Sequence, residues 1–248
     1  MNDAMWAGTV GITGGGGAEL EAYLARPLGD APRGGVVVIH HLPGYDAATK
    51  EITRRFAAHG YAAVCPNLYS REGADVSPDD QAAAVRARGG VPDEQVVADV
   101  AGAAEYLNSL DHANGRIGTI GYCSGGRQSF LIACSLRIDA AVDCYGAFVY
   151  NESPPDAPFK GLSLVPKMPD LSCPVLGLFG DEDRFPSPDE VAALDAELNR
   201  LGKEHEFHSY PDAGHAFFAT DRPSYRPKAA VDGWKKIFDF FGRHLTAA

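Results

Sequence analysis

Gly121-Tyr122-Cys123-Ser124-Gly125-Gly126 follows the apolar run Arg116-Ile117-Gly118-Thr119-Ile120 and precedes the helix-like stretch Arg127-Gln128-Ser129-Phe130-Leu131-Ile132-Ala133. The order is strand, sharp turn, helix. Glycines two positions before and two after the central residue let the backbones of strand and helix approach where a side chain would collide. The usual form of this elbow carries serine, and here the tip is a thiol. At a helix start, the positive end of the helix dipole favours thiolate over thiol, so position and chemistry agree on a nucleophile. Cysteine is also a common buried residue and Gly-rich strand-to-helix turns recur in α/β proteins, so the rest of the chain has to decide.

Outward from the elbow, strand and helix patterns alternate. Towards the N-terminus, Gly35-Val36-Val37-Val38-Ile39-His40 is a β-branched run of the kind found in a parallel strand covered on both faces. It ends in the loop His40-His41-Leu42-Pro43-Gly44, at the strand edge where open α/β sheets bind ligands. Thr49 to His59 has helical spacing with Gly60 as its stop, and Tyr61 to Cys65 reads as the next strand. Glu21 to Arg26 alternates like an edge strand stopped by Pro27, and Gly14 to Gly17 reads as a hairpin tip rather than a phosphate loop. Ser70 to Pro92 is polar and irregular, with one helix begun by Ser77-Pro78, and is either a lid or a surface loop. Asp93 to Leu110 is an Ala-rich helix feeding the elbow strand.

Towards the C-terminus, Ala140 to Tyr145 reads as a strand, followed by a Pro-rich excursion (Pro154, Pro155, Pro158, Pro166, Pro169) expected to be one long surface loop. Pro174 to Gly180 is a buried strand, and a capping box in Ser187-Pro188-Asp189-Glu190 opens a helix through Arg200. His205 to Tyr210 alternates as a strand, and Ala229 to His244 is an amphipathic closing helix. With no repeat, linker or composition break, the 248 residues are expected to form one doubly wound α/β domain.

The net charge of -11 argues against nucleic acid or an anionic membrane as partner, since both require clustered Lys and Arg. No run of about 18 apolar residues could span a bilayer, and Met1 to Val10 lacks signal-peptide character, so the expected location is the cytoplasm. Five cysteines without a C-x-x-C pair suit reduced thiols, with Cys65, Cys134, Cys144 and Cys173 as packing residues.

A cysteine nucleophile needs a base, and the base an orienting acid. His215 follows the His205–Tyr210 strand by the turn Pro211-Asp212-Ala213-Gly214. The acid comes earlier in the chain order that α/β-hydrolase folds use, nucleophile, acid, histidine. Asp183 lies just past the Pro174–Phe179 strand, and spacing alone leaves Asp181 as its rival. The backbone N–H groups of Ser124 and Leu42 are the candidate oxyanion hole. His40-His41 lacks a third ligand at suitable spacing, so no metal is expected.

Together these residues resemble the dienelactone hydrolase family of α/β-hydrolases. Gly121–Gly126 matches its cysteine elbow, Gly180-Asp181-Glu182-Asp183-Arg184-Phe185 its acid loop, and Ala213-Gly214-His215-Ala216-Phe217 its histidine turn. Tyr61–Tyr69 also resembles the family's next strand and turn. The resemblance implies a mostly parallel sheet of about eight strands, Asp183 rather than Asp181 as the acid, and a cofactor-free hydrolase of small-molecule esters or lactones working through a thiol acyl-enzyme. It also exposes departures. Where the family has a glutamate that engages the resting cysteine, this chain has His41, a modulator of thiol charge or a substrate contact. Where the family has a substrate-binding arginine after the triad histidine, it has Ala219, with Arg222 nearest. A second family arginine would fall among Arg86 and Arg88, and Tyr145, ending its strand, joins the candidate substrate contacts. The rival readings are an idle scaffold that binds a small molecule or partner, and a redox-reactive thiol, for which no resolving cysteine lies nearby.

Overall fold

The computed structural model describes residues 4–73, 75–157 and 159–246; Met1 of the N-terminal segment and Pro158 of the Pro-rich stretch lie outside them. The chain opens with a hairpin, β1 (Met5–Thr13) and β2 (Glu19–Pro27), whose tip is the glycine run. Then follow β3 (Arg33–Ile39), α1 (Ala47–Ala58), β4 (Ala62–Pro66), α2 (Pro78–Ala87) and α3 (Asp93–Asn108). β5 (Ala113–Tyr122) leads into α4 (Ser124–Ser135), and β6 (Ala140–Cys144), β7 (Val175–Gly180), α5 (Pro188–Arg200), β8 (His205–Tyr210) and α6 (Pro227–His244) complete the chain.

The strands form one sheet in the order β1-β2-β4-β3-β5-β6-β7-β8. β1, β2 and β4 are joined by antiparallel pairing, and every pair from β4 to β8 is parallel. The parallel strands β3, β4, β6 and β7 are buried along their whole length, which is why their sequences read as continuous apolar runs. Two apolar layers flank the sheet. One packs Phe56 of α1 against Ile237, Phe240 and Phe241 of α6; the other packs Val96 and Val100 of α3, Phe130 and Ile132 of α4 and Leu194 and Leu198 of α5. No helix among the described residues is long and apolar enough to cross a membrane.

Three local expectations are corrected. Glu21–Arg26 belongs to β2, which is not an edge: β1 pairs along its full length and takes the edge position. The alternation of β1 covers only Thr9–Thr13 and breaks at Ala7-Gly8, too short a period to mark the strand in sequence. The Pro-rich excursion is not simply a surface loop, because Phe159, Leu164 and Met168 are buried and a short 3-10 turn spans Val165–Asp170. The capping box is half formed: Ser187 Oγ accepts from Glu190 N–H at 3.2 Å, while the buried Glu190 carboxylate turns away to accept from Asn151 N–H.

Candidate active site

The site is built at the C-terminal edge of the parallel strands, where β3, β5, β7 and β8 end in loops. Cys123 sits between β5 and α4 at φ 58, ψ -124, a conformation that a side-chain-bearing residue adopts only when its surroundings hold it. Those surroundings are glycines. A Cβ on Gly121 would lie 1.9 Å from Gly125 O, and one on Gly125 would lie 2.4 Å from Ile39 O, so helix, elbow and β3 pack backbone to backbone. Cys123 N–H donates to Cys144 O at 3.0 Å; all five cysteines are free, and Cys123 is half-buried where the other four are buried. Ser124 occupies the first position of α4, whose N–H has no partner within the helix.

The acid loop and the histidine turn meet beside it. His215 Nδ1–H donates to Asp183 Oδ2 at 2.8 Å, and Asp183 Oδ1 accepts from Phe185 N–H at 2.9 Å. Asp183 is 7% exposed and Asp181 is exposed, so the buried carboxylate next to the imidazole is that of Asp183. Burial works against a charged ring at His215. Hydrogen bonds to Asp183 and Cys123, together with their negative charge, outweigh it and raise the pKa from 6.5 to about 10. Tyr145, at φ 45, packs its ring edge-on to His215 at 5.2 Å between centroids.

The loop after β3 forms the opposite wall. The buried His40 donates through Nδ1 to His41 O at 3.0 Å and accepts at Nε2 from Leu68 N–H at 3.2 Å. Burial pushes its pKa down to about 4, so the ring is neutral, and both nitrogens are committed to backbone. Tyr69 Oη–H donates to Leu42 O at 3.0 Å and so pins the residue that faces Cys123. His41 Nε2 bonds Asp46 Oδ2 at 2.7 Å, while Asp46 Oδ1 caps α1 by accepting from Thr49 N–H at 2.9 Å. Burial would raise the Asp46 carboxyl, but His41 and Thr49 hold it well below the usual range.

Cys123, His215, Asp183, Leu42 and Ser124 line one cavity of about 270 Å³. Its remaining wall is Ala147, Phe148, Phe159, Arg184 and Phe185. Phe148 is held at φ 64, and its ring lies 5.3 Å from that of Phe185. His41 and Tyr145 line a neighbouring cavity of about 380 Å³ together with Tyr122, Ala219, Trp234 and Arg55. The Arg55 guanidinium lies 4.5 Å above the Trp234 ring. Of the arginines singled out in sequence, Arg86 is exposed on α2, Arg88 pairs with Glu72, and Arg222 is exposed in the turn before α6; none of them lines the Cys123 cavity. Sequence reading missed Arg184, which does, although it sits one position after Asp183, and it missed the three phenylalanines, of which Phe148 and Phe159 come from the β6–β7 connection and Phe185 from the loop after β7.

The family model for dienelactone hydrolases matches residues 20–245. An Escherichia coli K12 protein named "Putative carboxymethylenebutenolidase" is 35% identical over 249 aligned residues, which cover 98% of this chain and 89% of that one. The carboxymethylenebutenolidase of Pseudomonas putida is 30% identical, covering 90% of this chain and 94% of its own. A crystal structure of a "Putative Dienelactone Hydrolase" from Klebsiella pneumoniae superposes with a TM-score of 0.85 at 32% identity, over 98% of this chain and all of that one. Matched from the second strand of the sheet to the end of its last helix, this chain belongs to the dienelactone hydrolase family.

Proposed function

We propose that the protein hydrolyses a carboxylic ester or lactone through Cys123, His215 and Asp183. The reading rests above all on one observation: a half-buried thiol at a strained elbow tip shares a cavity with an imidazole whose far nitrogen is held by a buried carboxylate at 2.8 Å. Relatives named as carboxymethylenebutenolidases support the same chemistry.

The Sγ proton passes to His215 Nε2, Sγ attacks the carbonyl carbon, a C–S bond forms, and the C=O π pair moves onto oxygen. The N–H groups of Leu42 and Ser124 receive that oxyanion. As it collapses, the C–O bond breaks and the leaving oxygen takes a proton from His215 Nε2, leaving a thioester on Cys123; in a lactone the alcohol stays attached. His215 then removes a proton from water, the hydroxide adds to the thioester, and the C–S bond breaks to release the acid. Asp183 fixes the tautomer that leaves Nε2 facing the thiol. Five free cysteines suit a reducing compartment, so the cytoplasm is the proposed location.

The test is hydrolysis of simple ethyl and aryl esters by wild type and variants. Cys123→Ala and His215→Ala are each expected to lower kcat/KM by about 1,000-fold or more. A Cys123→Ala protein that retains wild-type turnover overturns the assignment.

A further inference from the structure

The Cys123 cavity is constructed around an arginine that never reaches it. Arg127, on the first turn of α4, has a fully buried side chain that forks onto Asp93 with contacts of 2.7 and 2.9 Å. Its Nε donates to Phe148 O at 3.2 Å and its Nη2 to Leu162 O at 2.7 Å, and the guanidinium stands 5.5 Å from the Phe159 ring. Burying a guanidinium is costly unless every donor direction is used, and here the directions go to the two loop segments that carry Phe148 and Phe159. Both glycines near Phe159 are filled by its ring: a Cβ on Gly90 would lie 2.9 Å from it, and one on Gly161 2.8 Å from it. The wall is therefore fixed rather than collapsible.

What this wall offers a ligand is aromatic and apolar. Beyond the catalytic groups it consists of Leu42, Ala147, Phe148, Phe159 and Phe185, with Arg184 exposed at the mouth and lying 5.2 Å over the Phe185 ring. A carboxylate taken into this volume would lose its water, and beyond the catalytic groups the only cation the wall offers it is the exposed Arg184. A flat ring would bury its faces against three phenylalanines. The acyl group stays bonded to Sγ between thioester formation and hydrolysis, whereas the alcohol departs, so the cavity that contains Sγ is where the acyl group rests.

We propose that this cavity is the acyl pocket for an aromatic acid, making the protein a hydrolase of arylalkanoyl or aroyl esters, with Arg127 the positioning residue that holds its Phe148 and Phe159 walls. The proposal rests on the hydrolase reading above.

The experiment keeps the leaving group constant and compares ethyl phenylacetate, ethyl propionate and monoethyl succinate. In wild type, kcat/KM for ethyl phenylacetate is expected to exceed that for ethyl propionate by about tenfold or more, with monoethyl succinate the poorest. Phe159→Ala is expected to bring the phenylacetate to propionate ratio down towards unity. Arg127→Met should raise KM for ethyl phenylacetate more than for ethyl propionate, and Arg127→Lys should recover part of that loss. A preference for monoethyl succinate, or a ratio unmoved by Phe159→Ala, overturns the aromatic pocket while leaving the hydrolase reading intact. Absence of Cys123-dependent turnover on all three esters overturns the hydrolase reading itself, and this proposal with it.

Discussion

At the scale of single residues, the site turns on the imidazole of His215. Its pKa is raised from 6.5 to about 10 because burial, which opposes the charged ring, is outweighed by Asp183 and Cys123. A histidine held more basic in the folded than in the unfolded chain stabilises the fold fully below the unfolded value of 6.5. That contribution falls as pH rises from there through 10 and is gone above it. His215→Gln keeps an amide in the same place but cannot titrate. The melting-temperature difference between wild type and His215→Gln is therefore expected to be largest near pH 6 and to shrink steadily towards pH 10. A difference that stays flat across this range would show that the ring carries no raised pKa. The side chain is 36% exposed, so the direction of the trend, rather than its size, is the readout.

At the scale of elements, the elbow depends on contact between backbones. Gly125, in the first turn of α4, abuts the end of β3, and a methyl there would lie 2.4 Å from Ile39 O in the sheet and 2.9 Å from His40 O in the loop that leaves it. Gly242 in α6 has nothing within 4 Å of its missing Cβ. Gly125→Ala should cost about 3 kcal/mol, a fall of roughly 10 °C in melting temperature, and should disturb Cys123. Gly242→Ala should be neutral or stabilising by up to about 1 kcal/mol. Calorimetry on the pair checks this, and equal effects would show that the elbow has slack. This contact explains why the elbow was legible in sequence: tight backbone packing leaves glycines at fixed offsets. The buried strands were legible for a similar reason, since burial on both faces forces continuous β-branched runs. β1 was not, because its exposed–inward alternation covers only Thr9–Thr13 and breaks at Ala7-Gly8. The aromatic wall was not either, because Phe148 and Phe159 are held in place by Arg127, whose ion-pair partner Asp93 lies 34 positions away, and Phe185 joins them from the loop after β7. No local pattern encodes that pairing. His41 was placed correctly on the loop after β3, but its tie to Asp46 depends on how α1 is capped, and that draws its ring into the neighbouring cavity.

At the scale of the whole molecule, the parts that hold the sheet together are separate from those that do chemistry at its edge. α6 closes one face, and its Phe241 is wholly buried, 5.8 Å from the Phe56 ring of α1 and 6.2 Å from Tyr61. Phe241 thereby joins the last helix to the first and to the end of the α1–β4 connection, in a layer that includes Ile120 and Val142 of the central strands. No residue of α6 lines the cavity around Cys123. Phe241→Ala removes a ring that its neighbours cannot replace, so it is expected to cost about 4 kcal/mol and to lower the melting temperature by roughly 10 °C or more. Well below that temperature the loops at the strand ends keep their positions, and kcat/KM on an ester substrate should match wild type. Denaturant titration and steady-state kinetics on the same preparation test both halves. A stability loss accompanied by a comparable fall in kcat/KM would show that α6 shapes the active site, and the separation of core from site would not hold.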